Sequence, residues 1–255
     1  MLCTKTNASV LVAGTECPYN PLKLRKTLFF ENNKGFIHNL LKRSSMQHNC
    51  PLCNTLCALH FEDKKIRYYF CKNCYALFED ARDRPDADAE KLRYEIHDNN
   101  VEDKGYQKFV SPITDAILKE FTKNSKGLDF GAGKEAIISS VVQKSGYDIA
   151  QYDPFFHKHL ELLERKYDYV ACCEVIEHFY SPKKEFQLLK ELLKPNAKLY
   201  CMTDIYNEET DFASWYYKND PTHVFFYHKK TFEWIQKEFG FLDMKIEGRL
   251  VTFSN

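Results

Sequence analysis

The C-terminal part of the chain, from about residue 111 onward, alternates between two patterns of apolar and polar positions. Short apolar runs typical of buried strands cover 127–130, 147–152, 167–173 and 197–203. Amphipathic stretches typical of helices cover 112–122, 135–144, 159–166, 182–193 and 230–239. Two last runs, 241–247 and 250–253, are expected to pair around Gly248. Repeated strand–helix units predict an α/β domain with a parallel sheet covered on both faces.

The first 110 residues lack this alternation, and their pattern predicts three sections. Residues 1–49 have no clear periodicity and contain seven basic and two acidic side chains, which predicts a basic extension that is flexible or partly helical. Residues 50–80 include strand-like stretches at 65–70 and 75–78. Residues 81–110 are polar and acidic, with one expected helix over 87–97, and predict a linker to the domain at 111–255.

Two Cys-x2-Cys pairs in residues 50–80 predict a structural metal site. Cys50 and Cys53 are separated from Cys71 and Cys74 by the 17 residues 54–70, within the window of about 15–20 that is typical of a zinc site. Four thiolates at the ends of two short hairpins form a closed tetrahedral shell, so we expect a zinc ribbon with a structural Zn²⁺. The alternative is four unrelated thiols.

Composition and charge narrow the classes of function. The apolar fraction of 44% and charged fraction of 28% are those of a globular protein. Because no apolar run approaches the roughly 20 residues that span a bilayer, and the N-terminus is a poor secretory signal, we expect a cytoplasmic protein without a membrane partner. Residues 50–255 contain 29 basic and 34 acidic side chains, which weakens a role in binding nucleic acid unless the basic extension or the ribbon makes the contact.

Candidate chemistry lies where the predicted strands end. The turn 128–133 (LDFGAG) joins a strand to a helix, and its glycines allow close approach of a ligand to the backbone. Asp153 follows Gly133 by 20 residues, at the end of the next strand, where an acid can accept hydrogen bonds from ribose hydroxyls. The alternative is a pair of loop glycines beside a surface aspartate.

A second group of polar residues follows the apolar run 167–173. If a helical turn starts near Glu174, then Glu174, Glu177 and His178 share one face. Two carboxylates and an imidazole on one face can bind a divalent metal or transfer a proton. The alternative is a polar helix start whose acids interact with the N-terminal dipole.

These motifs, in this order and spacing, resemble those of class I S-adenosylmethionine-dependent methyltransferases over residues 111–255. The segment 174–178 (EVIEH) resembles in particular the subgroup that contains the ubiquinone-pathway O-methyltransferases and the small-RNA 2′-O-methyltransferases. The resemblance implies a Rossmann-like, seven-stranded, mostly parallel sheet with helices on both faces. It also implies methyl transfer from S-adenosylmethionine, with an oxygen of a small molecule or of RNA favoured as acceptor over a protein; it does not predict an oligomeric state.

The resemblance assigns roles to individual residues. The backbone of the glycine turn would pass under the methionine part of the cofactor, and Asp153 would hold its ribose, with Phe155 near the adenine. The implied cofactor-binding residues are Asp129, Gly131, Ala132, Gly133, Asp153, Phe155, Cys173 and Glu174.

The resemblance also implies a second metal site. In the metal-using members of the subgroup, two acids and a histidine bind a divalent cation together with a later histidine. Glu174, Glu177 and His178 match the first three, and His223 is the candidate for the fourth. Glu177, His178 and His223 are then the expected catalytic residues. The alternative is that His223 closes the loop over the substrate without a metal, with His178 a general base or a structural histidine.

One position departs from the family pattern. The family often has a third glycine two residues after the second, where this chain has Glu135. That departure leaves a second reading open, in which the chain is a catalytically degenerate zinc-ribbon/Rossmann binding module.

Aromatic residues flank these motifs and allow two interpretations. Those around His223 could form a substrate wall or a lid packed on the sheet, and those of the linker could cap the cofactor pocket or pack on the surface. The group around His223 consists of Trp215, Tyr216, Tyr217, Phe225, Phe226 and Tyr227. The group in the linker consists of Tyr94, His97, Tyr106 and Phe109.

Overall fold

The computed structural model describes residues 47–96 and 100–255, and residues 47–255 form one structural unit. The predicted basic extension lies outside the described residues, except for its last three positions. Strands are β1 (Gln47–Asn49), β2 (Leu56–Asp63), β3 (Ile66–Phe70), β4 (Leu77–Glu79), β5 (Lys126–Phe130), β6 (Asp148–Tyr152), β7 (Tyr167–Cys173), β8 (Leu193–Met202), β9 (Ile205–Tyr206), β10 (Phe225–His228), β11 (Asp243–Glu247) and β12 (Leu250–Ser254). Helices are α1 (Ala87–Glu95), α2 (Lys104–Glu120), α3 (Ile137–Lys144), α4 (Pro182–Glu191) and α5 (Lys229–Phe239).

The central sheet has the order β11-β12-β8-β7-β5-β6. Strands β5 to β8 are parallel, while β12 runs antiparallel to β8 and β11 antiparallel to β12. Among the described residues the sheet therefore has six strands, and the expected number of seven is wrong. Only residues 153–166 separate β6 from β7. That segment is too short for a helix, a strand and a second helix, and it contains a 3₁₀ turn, Leu160–Glu164, where a helix over 159–166 was predicted.

Helices cover both faces of this sheet, as the alternation predicts. Successive side chains of a strand point to opposite faces. In β7, Tyr169 and Ala171 pack in one core cluster with residues of α2 and α3, whereas Val170 and Cys172 pack in the other with residues of α4 and α5. The predicted strands of the central sheet are therefore buried on both faces.

Helix α2 begins earlier than its apolar pattern predicts. Asp103 caps it by accepting hydrogen bonds from the amides of Gly105 and Tyr106, at 2.7 and 3.4 Å. The helix continues through Pro112 to Glu120. The end of the acidic linker is thus the first half of a helix of the α/β domain.

The N-terminal hairpins, defined as residues 47–80, are not separate from that domain. Their sheet has the order β1-β2-β3-β4-β10-β9, so its last two strands come from the C-terminal half of the chain. Cys50, Cys71 and Cys74 belong to the same core cluster as Leu199 and Val251 of the central sheet. One core therefore joins two sheets that the sequence pattern divides between two sections.

Candidate active site and cysteine cluster

The four cysteines of the N-terminal hairpins lie together, with their Sγ atoms within 4.8 Å of one another. Cys50 and Cys74 are 3.5 Å apart between Sγ atoms, and Cys53 and Cys71 are 3.3 Å apart. Sulfurs bound at about 2.3 Å to one tetrahedral ion lie roughly 3.8 Å from each other. The cluster therefore has the size and chemistry to hold a metal ion such as Zn²⁺.

The two cysteine pairs have matching backbone turns. Asn54 donates to the carbonyl of Cys50, and Tyr75 donates to the carbonyl of Cys71, both at 2.8 Å. Asn54 and Tyr75 have φ values of 60° and 59°, so each turn closes through a left-handed residue that is not glycine. Two turns of the same shape place the two cysteine pairs face to face. A fifth cysteine, Cys57, is buried nearby, and its Sγ donates to the carbonyl of Thr55 at 3.2 Å.

The glycine turn after β5 is held against the neighbouring strand. The amides of Gly131 and Ala132 both donate to the carbonyl of Tyr152, at 2.8 and 3.0 Å. Gly131 has φ 74°, and a Cβ there would lie 2.5 Å from Cγ2 of Val175. Gly133 has φ 65°, and a Cβ there would meet no atom within 4 Å in the described part of the chain. Gly131 thus allows Val175 to pack against the turn, and Gly133 leaves open space beside the turn.

Two aspartates fix the ends of β5 and β6. Asp129 is buried and accepts hydrogen bonds from the amide and hydroxyl of Ser139, at 3.1 and 2.8 Å, which ties β5 to α3. Burial raises the pKa of Asp129 to about 6. Asp153 accepts from the amides of Gly133 and Phe155, at 3.0 and 2.8 Å. It therefore lies directly beside the turn, as its 20-residue spacing from Gly133 predicts.

One cavity of about 960 Å³, at the C-terminal ends of β5, β6 and β7, is bordered by the glycine turn, Asp129 and Asp153. Its volume suits a cofactor-sized ligand. Tyr94, Tyr106 and Phe109 of the predicted linker also line it, whereas His97 lies outside the described residues. The predicted cofactor-binding residues on its wall are Asp129, Gly131, Ala132, Gly133, Asp153, Phe155, Cys173 and Glu174.

The three predicted catalytic side chains lie together beside this cavity; His178 and His223 border it, and Glu177 is buried next to them. Oε1 of Glu177 lies 4.0 Å from Nε2 of His178 and 4.0 Å from Nε2 of His223. Glu177 and His178 lie on a 3₁₀ turn, Ile176–His178, and His223 precedes β10. We call these three residues the triad. Ligands about 2.1 Å from one ion lie roughly 3.0–4.2 Å apart, so the spacing fits a divalent cation.

The histidines of the triad are oriented by backbone carbonyls. Nδ1 of His178 lies 2.9 Å from the carbonyl of Thr222, and Nδ1 of His223 lies 2.7 Å from the carbonyl of Tyr217. Because a carbonyl only accepts, Nδ1 carries the proton in each ring. Burial lowers the pKa of His223, which favours its neutral form. In the neutral ring of His223, Nε2 then presents its lone pair on the side of Glu177, the arrangement that metal-binding histidines use.

Glu177 is fully buried and is hydrogen-bonded on one side. Its Oε1 accepts from the hydroxyl of Tyr217 at 2.5 Å, while its Oε2 has no hydrogen-bond partner among the described residues. Burial raises the pKa of Glu177. A buried carboxylate oxygen without a partner is costly, and a bound cation or proton would remove that cost.

The model of the family described as "Methyltransferase domain" matches residues 103–245, which include both sides of the cavity. The chain belongs to this methyltransferase family. No curated protein shows significant sequence similarity to it. Among the described residues, no helix of this chain is long and apolar enough to cross a membrane.

Several solved methyltransferase structures are similar to this chain. An O-methyltransferase family protein from Burkholderia thailandensis is 10% identical, with a TM-score of 0.46 over 65% of this chain and 61% of that one. Human N-acetylserotonin methyltransferase, solved with SAM, is 12% identical, with a TM-score of 0.46 over 66% of this chain and 65% of that one. The 1,6-didemethyltoxoflavin-N1-methyltransferase of B. thailandensis is 13% identical, with a TM-score of 0.46 over 77% of this chain and 98% of that one. The chain thus spans about three fifths of the length of the first of these proteins.

Glu174 does not join the triad, and the predicted shared face of Glu174, Glu177 and His178 is wrong. Glu174 has φ 52°, a left-handed conformation that prevents a helical turn from starting there. Its carboxylate instead binds Arg249 at 2.7 and 2.8 Å and accepts from the hydroxyl of Tyr217 at 3.1 Å. Arg249 was missed by the sequence analysis, since only its position after the turn of the last hairpin marks it.

Glu135 does not disturb the contact between strand and helix. It precedes α3, which begins at Ile137, and its carboxylate lies 3.7 Å from Nζ of Lys134. The link between β5 and α3 is made by Asp129 and Ser139 instead. The structure therefore gives no support to the hypothesis that the chain is a catalytically degenerate binding module.

The aromatic residues around His223 mostly pack in the interior. Phe225 and Tyr227 belong to the main core, and Tyr217 and Phe226 to a third cluster shared with the N-terminal hairpins. Tyr216 differs, because it is 63% exposed and lies on the cavity wall. Packing on the sheet therefore accounts for most of the group.

Proposed function

We propose that this protein is an S-adenosylmethionine-dependent methyltransferase that methylates a hydroxyl oxygen of a small molecule or of RNA. One observation carries the proposal: a single cavity is bordered by the glycine turn and Asp153 and also by the two histidines of the triad, with Glu177 buried next to those histidines. A methyl donor on one side of such a cavity can face an acceptor held on the other. Methyl transfer needs little covalent chemistry from the protein, so positioning the two reactants in line in a dry site is its main contribution.

S-adenosylmethionine supplies an electrophilic methyl group. The open space beside Gly133 admits a ligand against the backbone, and the φ of 65° exposes that face of the turn. Asp153 keeps about one acceptor site for a ribose hydroxyl, because a carboxylate has about four such sites and three backbone amides occupy the others. Phe155 lies on the same wall, beside the expected adenine position.

The triad would hold a divalent cation through one carboxylate and two imidazoles. A cation bound there would lower the pKa of the acceptor hydroxyl and orient its oxygen. Three protein ligands leave positions for the acceptor, and the exclusion of Glu174 supports such an open site. This donor set does not select one metal.

The cysteine cluster would hold Zn²⁺ as a closed, structural zinc ribbon, because four thiolates leave no open position. Thiolates that must stay reduced to bind metal favour a cytoplasmic location.

Calorimetric titration with S-adenosylmethionine tests the cofactor assignment. We expect binding well below millimolar concentration, and at least about tenfold weaker binding by Asp153→Ala, which loses the carboxylate beside the turn. Asp168→Ala is the matched control, since that carboxylate binds Lys126 and Lys194 at the opposite end of the sheet. No heat at millimolar cofactor would overturn the proposal.

Labelled S-adenosylmethionine, added with the protein to fractionated cell extract, tests the acceptor class. Label in a small-molecule fraction would support the proposal with a small molecule as acceptor. Label in a fraction that resists protease but contains RNA would support it with RNA as acceptor. Label confined to protein that resists nuclease would contradict it.

A further inference from the structure

The N-terminal hairpins contact the segment that contains His223 through a buried ion pair. Lys218 has a side chain that is 3% exposed, and its Nζ lies 2.8 Å from Oδ2 of Asp63 at the end of β2. The same ammonium lies 5.9 Å from the ring centroid of Phe61. A buried lysine requires such a partner, so this pair fixes the position of residues 216–219 against β2.

A second link runs through the backbone. Strand β4 pairs with β10, and the amide of Glu79 donates to the carbonyl of Val224 at 2.9 Å. The amide of Val224 donates in turn to the carbonyl of Glu177 at 3.0 Å. Val224, next to His223, is therefore bonded to the hairpins on one side and to the triad on the other.

A third link is Tyr217, next to Lys218. Its hydroxyl donates to Glu177 and its carbonyl accepts from His223, so it orients two of the three members of the triad. Its ring lies in a buried cluster with Tyr68 and Leu77 of the hairpins. The position of Tyr217 thus depends on how the hairpins pack.

We propose that the N-terminal hairpins are a positioning element of the active site, with Lys218 and Asp63 as positioning residues that hold the triad in its cation-binding geometry. The inference rests on the proposed function, in which the triad binds a cation. It assigns the hairpins that contain the cysteine cluster the task of supporting the triad, since none of the described residues 47–80 borders the cavity itself. Residues that orient metal ligands typically change metal affinity by about 10–100-fold.

Lys218→Met tests the proposal in the full chain. It removes the ammonium, keeps an apolar stem over Phe61, and leaves Asp63 with side-chain access to solvent. Electrostatics alone would tighten cation binding when a nearby positive charge is removed, so weaker binding would come from lost positioning. We expect Mn²⁺ affinity at the triad, measured by electron paramagnetic resonance, to fall about tenfold.

Two further variants sharpen the test. Asp63→Asn breaks the same pair from the other side and should also weaken Mn²⁺ binding. Asp148→Asn is the matched control, because it breaks an exposed ion pair with Lys126 at the far end of the sheet. This variant should bind Mn²⁺ as tightly as the wild type. Thiolate-to-Co²⁺ absorption, measured on each protein loaded with Co²⁺, should stay at the wild-type level, which shows that the cysteine cluster is intact.

The outcomes are separable. If Lys218→Met binds Mn²⁺ as tightly as the wild type, the positioning role is refuted while the proposed function stands. If the wild type binds no Mn²⁺ outside the cysteine cluster, the cation-binding triad itself is refuted. If Asp63→Asn leaves a buried lysine unpaired and fails to fold, Lys218→Met alone decides the test.

Discussion

Removing the hydroxyl of Tyr217 tests how the triad is oriented. Tyr217→Phe keeps the ring in its aromatic cluster but deletes the donor that lies 2.5 Å from Oε1 of Glu177 and 3.1 Å from Oε2 of Glu174. A hydrogen bond to a charged group contributes about 1.5–3 kcal/mol. Its loss removes the hydrogen bond that fixes Oε1 of the fully buried Glu177, so we expect the carboxylate to rotate away from His178 and His223.

The expected loss in Mn²⁺ affinity is about 10–100-fold, which corresponds to roughly 1.4–2.7 kcal/mol. Titration of Mn²⁺ into the wild type and the variant, followed by electron paramagnetic resonance, measures it. Tyr216→Phe is the matched control, since the neighbouring tyrosine is 63% exposed and outside the triad. Equal affinity of Tyr217→Phe and the wild type would refute the idea that this hydroxyl positions Glu177.

Three other changes test separate parts of the structure. Cys71→Ser should abolish metal binding by the cysteine cluster and lower the thermal unfolding temperature of the protein, because a buried core depends on the four thiolates; unchanged melting with no bound metal would contradict this. Gly131→Ala should destabilise folding by about 1–3 kcal/mol, measured by urea denaturation, because φ is 74° and the new Cβ would lie 2.5 Å from Val175. Adding Val175→Ala to Gly131→Ala should restore the part of the lost stability that is due to the clash. If the double variant is no more stable than Gly131→Ala, the whole loss comes from backbone strain. Glu135→Gly should change affinity for S-adenosylmethionine less than about threefold in calorimetry, and a gain of tenfold or more would favour the degenerate reading.

The central strands and most helices could be predicted because their signals are local. The apolar run 167–173 coincides with β7. Pro182 begins α4, as a proline at the first helical position predicts. The adjacency of Gly133 and Asp153 also follows from the order of two neighbouring strands. The cap of α2 at Asp103 is visible in the sequence and is missed because the predicted apolar pattern begins at residue 112, more than two turns later.

The features that the sequence analysis missed depend on residues far apart in the chain. Glu174 leaves the triad because Arg249, 75 positions later, binds its carboxylate. Strand β4 extends its sheet through β10, and no local pattern predicts a pairing across an entire domain. The sheet has six strands because one connection is short, whereas the family resemblance implies seven.

The central claim is that a methyl-donor site and a cation site share one cavity. A crystal structure of the protein with S-adenosylhomocysteine and Mn²⁺, recorded with anomalous scattering, tests it most directly. We predict the cofactor against Gly133 and Asp153 and a manganese peak between Glu177, His178 and His223. A cofactor bound elsewhere, or a triad without manganese at saturating concentration, would contradict the account.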